Sequence, residues 1–128
     1  MKLTKEEMKA WVDKYIKAQD NNLGISRSGE LHWSVNKFFE LENEHPELCW
    51  KAILEVLHRE PSEKVKDILA AGPLEDLIDT HGEEYIEVIE EEAKINPEFR
   101  KLLRGVWESS TPEVWNRVLK ARKNTSNE

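Results

Sequence analysis

The sequence predicts an all-α protein of about seven to eight short helices packed as antiparallel α-α hairpins, with a small curved helical array as one arrangement of them. Three observations predict it. Apolar residues recur at three- and four-residue spacing along most of the chain, the period of a helix face. The connections between these runs are tight. All five prolines also share one context: His45-Pro46-Glu47, Glu60-Pro61-Ser62-Glu63, Gly72-Pro73-Leu74-Glu75, Asn96-Pro97-Glu98 and Thr111-Pro112-Glu113. Each precedes an apolar-periodic run and has an acid one or two places on. Proline fits a first helical turn, where its missing N–H is no loss, and the acid complements the positive end of the helix dipole. Every proline is therefore expected to start a helix and none to break one. Residues 1–123 are expected to form a single helical domain, with 124–128 a frayed tail.

Taken in order, the first helix opens at Thr4, with Glu7 three residues on as a capping box. Trp11, Val12, Tyr15 and Ile16 give it one apolar face, and Asp20-Asn21-Asn22 and Gly24 end it. Residues 20–30, DNNLGISRSGE, have no periodicity and form a loop. The second helix starts near Leu31 or Ser34 and runs to Glu44, with Leu31, Val35 and Phe38 on one stripe. Trp33 lies off that stripe: with Ser34 as N-cap it would staple against Phe38, and otherwise it is an exposed anchor for a partner. The third helix, from Pro46 to about Arg59, is apolar over so much of its circumference that it must be central.

The fourth helix, Glu63 to Ala71, is closed by Gly72, and a short fifth covers Pro73 to Thr80. Gly82 suits the left-handed position that would end it. The sixth spans Glu83 to Ile95, with Tyr85, Ile86, Ile89 and Ala93 opposite a row of acids. The seventh, Pro97 to about Glu108, buries Phe99, Leu102, Leu103, Val106 and Trp107. The eighth, Pro112 to about Arg122, offers Val114, Trp115, Val118 and Leu119.

Composition narrows the functional classes. No apolar run approaches the roughly 18 residues of a membrane span, and the N-terminus MKLTKEEMKAW has no signal-peptide core, so no membrane role is expected. A lone cysteine, Cys49, fits a reducing cytoplasm. The net charge of −7 is uneven: residues 61–93 hold 2 Lys/Arg against 11 Asp/Glu, a net −9, whereas 94–128 hold 8 against 4, a net +4. The acidic block repels phosphate backbones, which argues against nucleic acid as a partner.

The run Ala71-Gly72-Pro73-Leu74-Glu75-Asp76-Leu77-Ile78, then His81-Gly82, then Phe99-Arg100, Leu102-Leu103 and Val106-Trp107, resembles a family of small bacterial domains of unknown function. The resemblance implies a bacterial, helical, cytoplasmic protein. It carries over no activity, cofactor or catalytic residue.

Three chemical readings compete with a plain helical surface. Glu42-x-x-His45 and Glu55-x-x-His58 have the spacing of di-metal bundle ligands, but they end consecutive helices and would stand on the order of 15 Å apart, so no metal site is expected. Cys49 falls on an apolar stripe, where a thiol acts as a small hydrophobe. His81 beside Glu75, Asp76 and Asp79 is the best acid/base cluster, yet no nucleophile or phosphate-binding motif accompanies it. Glu83, Glu87, Glu90 and Glu91 share one side of a helix, where like charges at i,i+4 cost a few tenths of a kcal/mol per pair unless a cation relieves them. That cation would come from the chain's own Arg117, Lys120, Arg122 and Lys123, or from a partner.

The function expected is a non-catalytic interaction domain whose acidic centre (Glu83, Glu87, Glu90, Glu91), with Trp33, docks a basic protein partner; an inhibitor or immunity-type protein is one form of that role. The alternatives are a small enzyme or ligand-binding domain with a pocket near residues 20–33 and Glu75, Asp79 and His81, or a homo-oligomer built through Trp33 or Trp115. None implies a cofactor.

Overall fold

The computed structural model describes residues 2–123, so the tail expected at 124–128 lies outside the described residues. The fold is all-α, and the described residues contain no strand, only an isolated antiparallel bridge between Ile25 and Leu31. The chain divides into two compact units, Met1–Ile68 and Leu69–Glu128.

The first unit packs α1 (Lys5–Asp20), α2 (Trp33–Glu44) and α3 (Pro46–His58) around shared aromatics. The capping box forms as the sequence requires: the Glu7 amide donates to Thr4 Oγ1 at 3.0 Å, and the Thr4 amide donates to Glu7 Oε1 at 2.9 Å. Hydrogen bonding from Thr4, its backbone amide first, holds the Glu7 carboxyl below the usual carboxylate range. Trp11, Tyr15, Phe38, Leu41, Cys49 and Ile53 are all buried. Phe38 meets Trp11 and Tyr15 with ring centroids 4.7 and 4.8 Å apart, in the tilted and edge-on geometries that the ring quadrupole favours. Ile16 is half-buried at the margin.

The start of α2 differs from the expectation. Its N-cap is His32, whose Nδ1 accepts the Ser34 amide at 3.2 Å. Ser34 lies inside the first turn, fully buried, and its carbonyl accepts the Trp11 indole N–H at 2.8 Å. A long-range bond therefore selects the buried role for Ser34. Leu31 stays outside the helix and 40% exposed because it pairs with Ile25.

The second unit contains α5 (Glu75–Ile95), α6 (Pro97–Leu103) and α7 (Pro112–Lys123), all in mutual contact. Leu77, Ile78, Ile89, Phe99, Leu103 and Val118 form its core. Pro97 and Pro112 open their helices as expected. Asn96 Oδ1 accepts the Glu98 and Phe99 amides, and Thr111 Oγ1 accepts the Val114 amide.

Several expectations are corrected here. Gly72 does not close a helix, and Pro73 does not open one. The helix α4 (Glu63–Leu69) runs without interruption through a π-turn, Ala70–Leu74, into α5. In α-helical register Pro73 would clash with the Leu69 carbonyl and leave it without a donor. The wider turn carries the chain past this point, with the Glu75 amide donating to Ala70 O five residues back. The fifth and sixth helices are likewise one, α5, kinked at His81 (φ −125°, ψ 24°). Gly82 is not left-handed. It is glycine because a Cβ there would sit 2.7 Å from Ser110 Oγ and 2.9 Å from Val114 Cγ1. The helical segments therefore number six among the described residues, counting the α4–α5 run as one. Finally, α6 ends at Leu103, not near Glu108, so the helical period stops short of Trp107, which is 76% exposed.

No helix of the described residues is long and apolar enough to cross a membrane.

Candidate functional site

The acids singled out in the sequence lie on α5, in the second unit. Gly82, Ile86, Ile89 and Ala93 form its buried face, at the spacing of one helical stripe. Glu83, Glu84, Glu87, Val88 and Glu91 are exposed on the rest of the circumference.

The question of self-neutralisation is answered residue by residue. Arg117 of α7 forks onto Glu90, with Nε 2.9 Å from Oε2 and Nη2 on Oε1. This charge-assisted pair holds the Glu90 carboxyl below its ordinary range and favours the charged guanidinium. Among the described residues Glu91 has an ion pair with Lys94, at 3.4 Å between two well-exposed side chains, a contact worth little in water. Glu83 and Glu87 have no ion-pair partner within 4.0 Å among the described residues. Arg117 thus pairs directly with Glu90 at one edge of α5 and reaches Glu87 only through its field, beyond ion-pair distance.

The kink at His81 shapes a second feature. An open depression of about 390 Å³ is lined by Asp79, His81, Glu83, Glu84, Ser110 and Thr111, among others. His81 Nδ1 stands 3.8 Å from Glu84 Oε1. Ser110 at its edge has φ 67°, a left-handed conformation unusual for a non-glycine residue. Asp79 and His81 are therefore brought together, but Glu75 is not in that lining. Its Oε1 accepts the Trp107 amide at 2.8 Å, while Asp79 Oδ1 accepts the Ser110 amide at 3.0 Å. The i,i+4 pair of acids acts as two brackets for the α6–α7 connection, a structural role that its spacing alone does not reveal.

Trp33 is 53% exposed and belongs to the first unit, near the exposed Ile25 and Leu31 of the 20–33 loop. Trp115 is buried at 9% exposure, with the Arg122 guanidinium 5.6 Å from its ring centroid. Of the two tryptophans considered for self-association, only Trp33 is open to solvent. Cys49 is fully buried in the first-unit core. Among the metal-spaced residues, Glu55 pairs with Arg59 at 2.9 Å and His45 Nδ1 lies 3.4 Å from Glu47. No group of three or more His, Cys, Asp and Glu side chains that could hold a metal ion occurs among the described residues.

Two exposed apolar residues of α5 were not singled out in the sequence: Val88, 42% exposed, and Ile95, 77% exposed. Their signal was present, since they stand seven residues apart on the side of the helix away from Ile86 and Ile89.

Comparison with family models matches residues 19–126 to a family of unknown function (DUF6869). Comparison with curated proteins and with solved structures found no match.

Proposed function

We propose, from the premise that the chain belongs to this family of unknown function, that it is a non-catalytic interaction domain whose α5 docks a basic protein partner. One observation carries the reading: Glu83 and Glu87 are exposed with no cation of the described chain within ion-pair distance, although α7 supplies Arg117 to Glu90 next to them. Like charges on one helix repel, and a positive partner surface would relieve that repulsion while steering its own approach. An inhibitor or immunity-type role in a bacterial cytoplasm is a form this activity would take, and the acidic field disfavours nucleic acid.

The test uses a short Lys/Gly peptide and fluorescence anisotropy at low and physiological salt. Glu83→Lys with Glu87→Lys should weaken binding by at least about tenfold at low salt, since each reversal turns an attraction of about 1 kcal/mol near 4 Å in water into a repulsion of the same size. A matched reversal at Glu40 and Glu44 in the first unit should change it far less. Equal effects would reduce the binding to net charge and remove the site.

The depression at His81 supports a second reading, a site for a small ligand. Alanine at Asp79 and His81 that leaves the fold intact and abolishes ligand-induced stabilisation would favour it over docking on α5.

A further inference from the structure

The exposed side of α5 is not uniformly polar. Val88 and Ile95 stand seven residues apart, two turns along the same line, and are 42% and 77% exposed. At about 100° per residue both point nearly opposite the buried stripe of Ile86, Ile89 and Ala93. Glu84 and Glu91 border this apolar line on one side, with Glu87 further round, and Glu92 borders it on the other. A helix that exposes apolar residues at heptad spacing between rows of carboxylates has the layout of one half of a helix-helix seam, with the apolar line as core and the acids as its charged flanks.

We propose that the partner docks on α5 as an amphipathic α-helix, with an apolar stripe laid along Val88 and Ile95 and lysines or arginines on its borders facing Glu84, Glu87, Glu91 and Glu92. This rests on the reading of α5 as a docking surface for a basic protein and gives that protein a shape. The flanks decide the occupant. A second copy of this helix would set carboxylates against carboxylates, and a neutral apolar segment would bring them no cation. Only a stripe bordered by cations matches both features. Lys94 is compatible with it, because it already leans on Glu91 at 3.4 Å and both side chains are exposed enough to rearrange. The Arg117–Glu90 pair lies on the edge away from the seam and need not break.

The experiment uses the full chain and two synthetic peptides of identical Leu/Lys composition. One places Leu at helical spacing, and the other is scrambled so that no face is apolar. Isothermal titration and circular dichroism should show the amphipathic peptide binding at least about tenfold more tightly than its isomer and gaining helix on binding. Val88→Ser with Ile95→Ser should cost it about tenfold, the fold-change expected for removing two partly buried aliphatic contacts, and leave the scrambled peptide unaffected. Both positions are exposed, so the double variant should keep the parent's thermal stability. Equal binding of the two peptides, still dependent on Glu83 and Glu87, would overturn the helical partner and leave the basic partner standing. No binding of either peptide at low salt would overturn both.

Discussion

Gly82→Ala is the sharpest test of how α5 and α7 are fitted together. The added Cβ would lie 2.7 Å from Ser110 Oγ, 2.9 Å from Val114 Cγ1 and 3.3 Å from Ser110 Cβ. Distances this short force either the α7 start or the kink to move, and overpacking of this kind costs about 1–3 kcal/mol. Against it stands the helix preference of alanine over glycine, at most about 1 kcal/mol and reduced beside the kink at His81. The net expectation is a loss of about 1–2 kcal/mol, read as a lower urea midpoint at unchanged slope. Ser110→Ala in the same background removes the nearer of the two obstacles and should restore part of the loss, with a coupling of at least about 0.5 kcal/mol. If Gly82→Ala were as stable as the parent, or the two changes simply added, the close-approach account of this glycine would be wrong.

Other expectations follow from the same contacts. Arg117→Met should lower stability only slightly at neutral pH, because the pair is partly exposed. The Glu90 carboxyl is held below its ordinary value, so the pair's contribution is complete above about pH 4.3 and is lost as pH falls through the lower native value. The stability gap between parent and Arg117→Met should therefore close in acid and nowhere else. Asp79→Ala and Glu75→Ala each remove an acceptor from a connection amide, and hydrogen exchange at Ser110 and Trp107 respectively should quicken, with about 1–2 kcal/mol lost in each. Trp107→Ala should change stability by less than about 0.5 kcal/mol, whereas Trp11→Ala should cost about 3–5 kcal/mol, since one indole is 76% exposed and the other 1%. Parallel thermal melts of the two variants check this.

The parts of the fold legible in the sequence are those set by local rules. Thr4 with Glu7, Asn96 with Pro97 and Thr111 with Pro112 start helices because each cap needs only its own first turn. The periodicity of Trp11, Val12 and Tyr15 finds their buried face for the same reason. The failures at Gly82 and Ser34 depended on partners far along the chain, and that at Gly72-Pro73 on a rarer local geometry. Gly72-Pro73 looks like a stop, but a π-turn absorbs the proline within a longer helix. Gly82 looks like a cap, but its small size is required by Ser110 and Val114 arriving from the start of α7. Ser34 looks like an N-cap until the Trp11 indole claims its carbonyl. At the site, the acidic side of α5 could be read from spacing, yet that Glu75 and Asp79 bracket a distant connection, and that Arg117 forks onto Glu90, could not.

The proposal at stake is that the exposed acids of α5 dock a basic partner. The most direct measurement is an amide chemical-shift titration of the isotopically labelled chain with the Lys/Gly peptide at low salt. The proposal predicts that shifts concentrate between Glu83 and Glu91 and fade as salt screens the charges over a Debye length of about 10 Å near 0.1 M. Shifts spread evenly over both units, or gathered away from α5, would contradict it.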